Sequence, residues 1–429
     1  MTIKRRNFIG LTAAGITTGM ISALNSCKPA TDQQDNKENA AKPTGLKPMR
    51  GDVAPISKSE RQARIAKAQR LLSENKMDAL VLESGTALNY FTGVIWWPSE
   101  RTMAVIIPAS GDIKYICPGF EEARLRELIT VGTEVFAWQE DESPYELIAK
   151  VIKDSGIVHS TVAIEERVRF FIADGIRKAA PNLKLVSGDP VTIPCRIIKS
   201  PAEIKLMQTA MDITLAAIRH GVSQLKEGMS QGDLSSIIMN AQNELGGNAD
   251  FALCLFGTSS AFPHGSRQPQ TLRQGDIVLM DCGCVIEGYN SDITRTVVFG
   301  EPSQRQQDVW SLEKEAQSAG FAAAQLGAPC ENVDAAARKV ITDAGFGPGY
   351  KLPGLPHRTG HGIGMDGHEW GNMVKGNKQP LEPGMCFSIE PNISIVGEFG
   401  VRLEDCVYMT DQGPKWFTQQ SKSLNEPFG

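Results

Sequence analysis

The sequence predicts an α/β domain followed by an α+β domain. In the first half, short apolar runs alternate with helical segments from about residue 57 to residue 186, which is typical of strands and helices packed in layers. In the second half, helical segments surround two pairs of apolar strands, each of which carries two acidic residues. A chain of 429 residues is long enough for roughly two or three domains with cores of their own.

The N-terminal end is predicted to be a targeting segment, residues 1–27. The stretch Lys4–Ile9 reads KRRNFI and resembles a twin-arginine export signal, and the uncharged stretch after it is too short and too weakly apolar to span a membrane. The stretch Leu24–Cys27 resembles a bacterial lipobox in which Cys27 is lipidated. We therefore expect export to the periplasm or the cell surface, with membrane contact only through that lipid. An ordinary cleaved signal with a chance cysteine is the alternative.

Residues 28–57 are predicted to form a disordered tether. Most of this stretch is polar or charged, and it offers few apolar side chains for burial. A tether that follows a lipidated cysteine would hold a folded domain away from the membrane.

A first domain is predicted over residues 58–194. Ser59–Glu74 has the apolar spacing of a helix, and Asp78–Glu83 has the composition of a strand. Arg101–Ile107 and Lys114–Cys117 are predicted to pair through the turn between them. No glycine-rich phosphate loop occurs in this domain.

A second domain is predicted over residues 195–429. Ser200–Glu203 is a helix start, with Ser as the N-cap, Pro in the first position and an acid in the first turn. Its helix is expected to end near Leu225. The other elements predicted here are a helix from about Ser230, the strand Phe251–Phe256, and helices at about Gln304–Leu326 and Glu331–Ala344.

Composition and charge exclude one class of partner. The chain is 41% hydrophobic and 22% charged, which is ordinary for a globular protein. Its net charge is −5, and no block of basic residues occurs after the first few positions. Nucleic-acid binding is therefore not expected.

Three of the six histidines lie in one glycine-rich segment. His357, His361 and His368 are spaced by four and seven residues, with four glycines among them. This pattern indicates extended backbone that passes close to another part of the chain. Imidazoles on such a segment are candidate metal ligands or proton carriers, and a loop of solvated histidines is the alternative. A fourth histidine of interest, His264, lies in the loop that follows the strand Phe251–Phe256.

Asp281 and Asp292 are predicted to face each other on a β-hairpin. The turn is expected near residues 286–288, which would place the two acids about 5 Å apart at Cβ. Two carboxylates so close on an apolar sheet repel each other and are poorly solvated, and a cation removes the problem.

Glu390 and Glu404 repeat this arrangement on a second predicted strand pair, Met385–Pro391 with Val401–Tyr408. Four carboxylates and one imidazole carry a formal charge that two divalent cations would cancel. The set therefore indicates a pair of metal ions.

Cys282 and Cys284 flank Gly283 next to one of these acids. We interpret them as small buried strand residues, because free cysteine is commonly buried. A thiolate metal site is the alternative.

The motifs around these residues resemble those of the pita-bread-fold metallopeptidases, which include methionine aminopeptidase, Xaa-Pro aminopeptidase and prolidase. The resemblance covers about Arg196–Thr410, and the first domain more loosely resembles the creatinase-type N-terminal domain. The histidine spacing and the extra domain resemble the proline-directed branch. The matching motifs are Asp281-x-Gly, Ser291-Asp-x-Thr-Arg-Thr, His357-Arg-x-Gly-His361-Gly-Ile-Gly, His368-Glu369, Ser388-Ile-Glu-Pro, Arg402-x-Glu-Asp and Pro263-His264-Gly265.

The resemblance implies an α/β creatinase-like domain before an α+β pita-bread catalytic domain. It also implies a site with two divalent ions, and a mostly oxygen ligand set favours Mn²⁺, with Co²⁺, Zn²⁺ or Fe²⁺ as alternatives. The five implied metal ligands are Asp281, Asp292, His361, Glu390 and Glu404.

The resemblance assigns roles to the surrounding residues as well. Glu390 would move a proton from the nucleophile to the leaving nitrogen. His264 and His368 would contact the substrate and stabilise the oxyanion. His357 and Arg402 would orient the part of the substrate beyond the scissile bond.

The predicted activity is hydrolysis of the Xaa-Pro bond at the N-terminus of peptides. A prolidase that acts on Xaa-Pro dipeptides is the first alternative, followed by a non-peptide C–N hydrolase or a lyase on the same fold, and then by a non-catalytic binding lipoprotein. The expected partners are a peptide substrate and a second copy of the chain in a homodimer.

Overall fold

The structure is a computed structural model and describes residues 45–429. The predicted twin-arginine segment, the lipobox with Cys27, and residues 28–44 of the predicted tether lie outside the described residues. Among residues 45–429, no helix combines the length and the apolar character that crossing a membrane requires.

Residues 45–56 do not form the free tether that the sequence predicts. Ile56 is buried, and Leu46 and Val53 pack beside it on the core of the second half. The Met49 N–H donates a hydrogen bond to the carbonyl of Leu245 at 2.8 Å. The predicted boundary at residue 57 is wrong because these apolar side chains are covered by a surface that only the folded second half provides.

The first half of the described chain is built on a six-stranded sheet. Its spatial order is β4-β3-β2-β1-β5-β6, in which β2 is antiparallel to both neighbours and the other pairs are parallel. The predicted strands near residues 78, 101 and 114 are confirmed. The strands are β1 (Ala79–Glu83), β2 (Ala104–Pro108), β3 (Lys114–Pro118), β4 (Glu134–Trp138), β5 (Thr161–Ile164) and β6 (Lys184–Ser187).

Helices cover both faces of this sheet. Alternate residues of β1 point to opposite sides, so Leu80 and Leu82 join one apolar cluster while Ala79 and Val81 join another. The helices are α1 (Lys58–Glu74), α2 (Thr86–Thr92), α3 (Glu122–Leu128), α4 (Pro144–Asp154), α5 (Phe170–Ala179) and α6 (Asp189–Arg196). The first cluster includes α1, α2 and α6, and the second includes α4 and α5.

Four helices belong to the second half, and the capping predicted for the first of them is confirmed. Ser200 accepts a hydrogen bond from the Glu203 N–H and Glu203 bonds back to the Ser200 N–H, which completes a capping box. Ser230 and Asp233 repeat this box on the next helix. The helices are α7 (Pro201–Ser223), α8 (Gln231–Glu244), α9 (Gln304–Ala323) and α10 (Glu331–Asp343).

The strands of the second half form three sheets. They are β7 (Asn248–Phe256), β8 (Ile277–Ile286), β9 (Tyr289–Asn290), β10 (Ile293–Val298), β11 (Gly360–Gly362), β12 (Glu369–Met373), β13 (Cys386–Ile389), β14 (Asn392–Ile395), β15 (Phe399–Arg402), β16 (Asp405–Thr410) and β17 (Gly413–Trp416). One sheet has the order β10-β8-β7 with β9 paired to β8, the second has the order β12-β11-β13-β16-β17, and β14 pairs with β15 alone.

The second acidic strand pair differs from the prediction. The expected strand Val401–Tyr408 is divided into β15 and β16, and β13 pairs with β16 while β14 and β15 form a hairpin between them. The strand breaks at Leu403 and Glu404 because the backbone of Glu404 turns to bond Thr294 of the other sheet. The predicted fold class, α/β followed by α+β, is confirmed.

Candidate metal centre

Asp281 lies on β8, and Asp292 immediately precedes β10, the neighbouring strand of the same sheet. Glu287 and Gly288 form the two-residue turn before β9, with φ angles of 50° and 85° that suit a tight hairpin. The register set by this turn places Asp281 opposite Thr294, so the predicted direct pairing with Asp292 is wrong. Asp292 lies two residues before Thr294 and therefore on the same side of the ladder.

Glu390 and Glu404 meet at the end of the ladder between β13 and β16. The last backbone pair there is Ile389 with Asp405, so the two glutamates are the next residues on the facing chains. Glu404 also exchanges backbone hydrogen bonds of 3.2 and 3.3 Å with Thr294, whose hydroxyl donates to Glu404 Oε2 at 2.7 Å.

This link between the two sheets brings their acids together. Carboxylate oxygens of Asp281, Asp292 and Glu404 lie within 4.8 Å of one another. His361, Glu390 and Glu404 form a second such group. All five residues predicted as metal ligands therefore lie in one continuous cluster.

His361 reaches this cluster from β11, between β12 and β13. A Cβ atom on Gly360 would lie 1.9 Å from the carbonyl oxygen of Ser388, and one on Gly362 would lie 1.9 Å from that of Trp370. Neither position can carry a side chain. The predicted close approach of an extended, glycine-rich segment is confirmed.

The hydrogen bond of His361 determines which ring nitrogen faces the acids. Its Nδ1 lies 3.1 Å from the carbonyl oxygen of Gly362, which can only accept, so Nδ1 carries the proton. Nε2 then presents a lone pair 3.2 Å from Glu390 Oε1 and 3.7 Å from Asp292 Oδ2. A lone pair beside two carboxylates is unfavourable unless a cation lies among them.

Buried oxygen atoms without partners support the same conclusion. Asp281 Oδ1 and Glu404 Oε1 are buried and have no hydrogen-bond partner among the described residues. Burial and the neighbouring carboxylates raise the pKa of Asp292 and Glu404 well above the usual range. Burial also raises the pKa of Asp281, although Arg402 opposes this. Four carboxylates and one imidazole fit two divalent ions that prefer oxygen ligands.

The electrostatics of Glu390 differ from those of the other three acids. Burial alone would raise the pKa of Glu390, but His361 in its protonated form, with smaller contributions from His357 and Arg402, would lower it to about 2. A neutral His361, the form that binds a metal ion, does not make this contribution.

Arg402 contacts both Asp281 and the loop that carries His264. It is buried, forms an ion pair with Asp281, and donates to the carbonyl of Pro263 at 3.0 Å and to the hydroxyl of Thr294 at 3.1 Å. These contacts connect the loop that carries His264 to the candidate metal ligand Asp281. A contact between Arg402 and substrate stays a prediction.

His357 and His368 are held by the same residue, Arg358. His357 Nδ1 donates to the carbonyl of Arg358 at 2.7 Å, which leaves Nε2 as an acceptor that is buried without a partner among the described residues. The guanidinium of Arg358 has only donors and lies 2.9 Å from His368 Nδ1, so the His368 proton is on Nε2. The remaining ring nitrogen, Nε2, is therefore an acceptor in His357 and a donor in His368.

His368 stacks on the metal-ligand candidate His361. Their ring centroids are 3.7 Å apart and their planes differ by 21°. One ring nitrogen of His368 comes within 4.8 Å of ligand atoms of Asp292 and His361, so a metal-binding group of these three is geometrically conceivable. In nearly parallel rings, however, the in-plane lone pairs do not converge on one ion. The stacking therefore favours His368 as a neighbour of the metal site rather than a ligand.

His264 is exposed on the loop after the short 3₁₀ helix Gly257–Ala261. Burial is the main cause that lowers the pKa values of His357 and His368, and the nearby His264 makes a smaller contribution. The pKa of His368 falls to about 4, so this ring is neutral near pH 7. The three predicted substrate-site histidines thus lie around the cluster.

Arg295 is a supporting residue to which the sequence analysis assigned no role. It is fully buried, donates to the carbonyls of Thr294 and Glu404 at 3.0 Å each, and pairs with Asp405 at 2.7 Å. It thereby holds the junction of the two sheets. The available signal was a charged residue in an apolar strand, which requires a partner.

The cysteines near the site are structural. The eight described cysteines are all buried and unpaired with one another. Cys282 is adjacent to Asp281 on β8 and therefore points to the opposite face, into the apolar core, where burial raises its pKa. The interpretation of Cys282 and Cys284 as buried strand residues is confirmed.

Comparisons with known proteins match both halves of the chain. Residues 205–411 match the model of metallopeptidase family M24, and residues 64–198 match that of the creatinase/prolidase N-terminal domain. A Xaa-Pro dipeptidase of Lactobacillus helveticus is 33% identical over 365 residues, which are 83% of this chain and 97% of that protein.

Solved structures with the same fold cover nearly the whole described chain. A dipeptidase of Mycobacterium ulcerans is 30% identical with a TM-score of 0.80, covering 86% of this chain and 99% of its own. A prolidase of Thermococcus sibiricus is 32% identical with a TM-score of 0.77, covering 85% and 98%.

Proposed function

Because this chain belongs to metallopeptidase family M24 and carries a creatinase/prolidase N-terminal domain, we propose that it hydrolyses the peptide bond that precedes proline. It is a prolidase-like hydrolase. The observation that carries the proposal is the single cluster of four carboxylates and one imidazole, flanked by three further histidines.

Asp281, Asp292, His361, Glu390 and Glu404 would hold two divalent ions. When bound, such ions polarise a scissile carbonyl and lower the pKa of an attacking water. Manganese is our first candidate because the ligand set is mostly oxygen. Metal analysis of the purified protein tests this choice, and Asp292→Asn or Glu404→Gln is expected to lose bound metal and activity together.

Glu390 is suited to proton transfer. Its carboxylate lies within the cluster, with Oε1 3.2 Å from His361 Nε2. It would accept the proton of the attacking water at a carboxylate oxygen and return it to the leaving nitrogen. The proline nitrogen, like the nitrogen of any peptide bond, needs this delivered proton to leave as an amine when the C–N bond breaks.

His368 would donate a hydrogen bond to the substrate, and His357 would accept one. The proton on His368 Nε2 can donate to the oxygen that becomes negative during attack. The unpartnered His357 Nε2 can accept a hydrogen bond from the substrate. His264 would contact the substrate from its exposed loop.

Dipeptides are the substrates we propose. The sequence favoured an aminopeptidase acting on longer peptides, with a prolidase as the alternative. The alternative is supported by three relatives of at least 30% identity: the Xaa-Pro dipeptidase of Lactobacillus helveticus, the dipeptidase of Mycobacterium ulcerans and the prolidase of Thermococcus sibiricus.

A length series of substrates tests the proposal. Xaa-Pro, Xaa-Pro-Xaa and longer Xaa-Pro peptides are compared with the matched Xaa-Ala series by kcat/KM. We expect the dipeptide Xaa-Pro to be cleaved fastest. Faster cleavage of Xaa-Ala would end the proline assignment, whereas faster cleavage of longer Xaa-Pro peptides would restore the aminopeptidase.

We also propose that the protein is exported and forms a homodimer. The twin-arginine and lipobox-like stretches within residues 1–27 support export, with Cys27 as the anchor. Light scattering of the purified protein measures the oligomeric state, and a monomer would contradict the dimer.

A further inference from the structure

The short segment that carries His368 is held by two acids whose side chains are largely buried. Asp366 and Glu369 lie on either side of His368 in the chain, and Glu369 Oε1 accepts the Asp366 N–H at 3.1 Å, which closes the turn. The same turn begins at Gly364, whose carbonyl accepts hydrogen bonds from the backbone and the side chain of Asn290 at 2.8 and 3.0 Å.

Both acids are bound by cations from the junction between the two halves of the chain. Arg196, the last residue of α6, donates through Nη2 to Asp366 Oδ2 and to Glu369 Oε1 at 2.5 Å each. Lys199 donates to Glu369 Oε2 at 2.8 Å. Arg196 and Lys199 are themselves buried, so these contacts are shielded from water.

The first half of the chain adds two further contacts to Asp366. The hydroxyl of Thr86, at the start of α2, donates to Asp366 Oδ1 at 2.6 Å, and Arg167 donates to the same oxygen at 2.7 Å. Asp366 therefore connects the first half of the chain to the His368 turn.

The opposite charges in this network stabilise one another. Lys199 and Arg196 lower the pKa of Glu369 to about 2 although burial opposes this, and Asp366 and Glu369 raise the pKa of Arg196. Removing one member of a buried ion network leaves the others uncompensated, so the turn would have to rearrange.

We propose that Arg196 is a positioning residue that, through Asp366 and Glu369, holds the His368 ring beside the metal ligands, so that the first half of the chain takes part in catalysis. The inference rests on the proposed function, because His368 contacts the substrate there. Arg358 contacts Nδ1 of the His368 ring directly. Arg196 therefore positions the backbone of the turn, whereas Arg358 sets the tautomer of the ring.

Steady-state kinetics of metal-loaded full-length variants provide the test. In Arg196→Gln we expect kcat to fall by roughly 10- to 100-fold, since a displacement of about 1 Å can cost that much, with KM and metal content almost unchanged. Arg196→Lys keeps a cation at this position and is expected to recover most of the loss.

Arg64→Gln is the matched control. Arg64 is a buried arginine that pairs with Glu203 of α7 at 3.3 Å and thus also joins the two halves, but it has no hydrogen bond or ion pair with residues 364–369. We expect its kcat to equal that of the wild type. A matching loss in Arg64→Gln would mean that general weakening of the junction is responsible.

A double-mutant cycle with His368→Ala identifies the route of the effect. If Arg196 acts through His368, Arg196→Gln causes no further loss of kcat in the His368→Ala background. An equal fold-loss in both backgrounds would overturn the proposal. Should Arg196→Gln fail to fold, Asp366→Asn replaces it in the same cycle, because it removes one charge and keeps the Arg196–Glu369 pair.

Hydrogen exchange separates this inference from the proposed function. Amides of residues 364–370 are expected to exchange faster in Arg196→Gln than in the wild type, and not in Arg64→Gln. This readout stands even if no Xaa-Pro peptide is a substrate, in which case the proposed function alone fails. Unchanged exchange in residues 364–370 would overturn the positioning role.

Discussion

At the scale of single residues, the three histidines of residues 357–368 differ in the hydrogen-bond partners of their rings. Nδ1 of His361 and of His357 donates to a backbone carbonyl, whereas Nδ1 of His368 accepts from the guanidinium of Arg358. The first two rings therefore present a lone pair at Nε2 and the third presents a proton. One residue type thus supplies a candidate metal ligand, an acceptor and a donor within one segment.

Alanine substitutions are expected to separate these roles. His361→Ala removes a ligand and should lose bound metal. His264→Ala and His368→Ala should keep nearly all of the metal while kcat falls by about 10²–10⁴-fold or less, the range of a positioned acid or base. Metal analysis and kinetics on the same preparations make the comparison. Metal loss in His264→Ala as large as in His361→Ala would contradict the division.

The pH dependence of stability should report on Glu369. Its pKa is depressed to about 2 in the folded protein, so its ion pairs stabilise the fold above the unfolded value near 4.5 and lose this effect as the pH falls toward 2. A depression of this size corresponds to about 3 kcal/mol. Glu369→Gln should therefore lower Tm clearly at pH 7 and much less near pH 3.

The experiment requires chelator at every pH, so that release of metal does not contribute to Tm. Glu398→Gln is a suitable control, because Glu398 forms an exposed pair with Arg305 whose expected contribution is small. A Tm difference for Glu369→Gln that stays constant between pH 7 and pH 3 would show that its charge is not the cause.

At the scale of elements, β11 illustrates how a strand too short to be stable alone carries a candidate metal ligand. It contains three residues, and both neighbours of His361 are glycines packed against the backbone of adjoining segments. The strand is held by its contacts with β12 and β13 and by the hydrogen bond from the His361 N–H to Ser388 Oγ at 3.0 Å.

Adding one methyl group to this strand should displace the ligand. In Gly362→Ala the new Cβ would meet the carbonyl oxygen of Trp370 at 1.9 Å, so β11 must move away from β12. Overpacking of this kind costs roughly 1–3 kcal/mol, and we expect lower Tm and lower metal content. Gly367→Ala is the control, because its Cβ would have no atom within 4 Å. Equal metal content in both variants would refute the steric explanation.

At the scale of the whole molecule, the two halves of the described chain are joined by buried charges as well as apolar contacts. Arg64 with Glu203 and Arg196 with Glu369 both cross between them. Residues 45–429 belong to one compact unit, so the first half is part of the same folded body as the candidate site.

Export is a property of the whole chain and can be tested at its N-terminus. Replacing Arg5 and Arg6 together by Lys should leave the protein in the cytoplasm, because a twin-arginine signal depends on both arginines. Cys27→Ser should release the exported protein from the membrane. Fractionation followed by immunoblotting measures both effects. Membrane association unchanged in Cys27→Ser would refute the lipid anchor and leave the export proposal standing.

The fold class and the family could be predicted from the sequence because their signals are local. Apolar periodicity and capping residues such as Ser200 reflect interactions within a few positions of the chain. The candidate ligands and histidines were identified because their residue types occur in short motifs, and the glycines beside His361 already indicated a close approach of backbone. The activity class followed from the same motifs.

Only the tertiary structure decided how these pieces meet. The register that puts Asp281 opposite Thr294, the bond from Thr294 to Glu404 that joins two sheets, and the packing of residues 45–56 on the second half could not be predicted. The burial of Arg295 and the hydrogen bond from Arg196 to Asp366 in the His368 turn could not be predicted either. Nearly all of these contacts join residues that are far apart in the chain, so their energies depend on the folded arrangement and leave no periodic trace in the sequence.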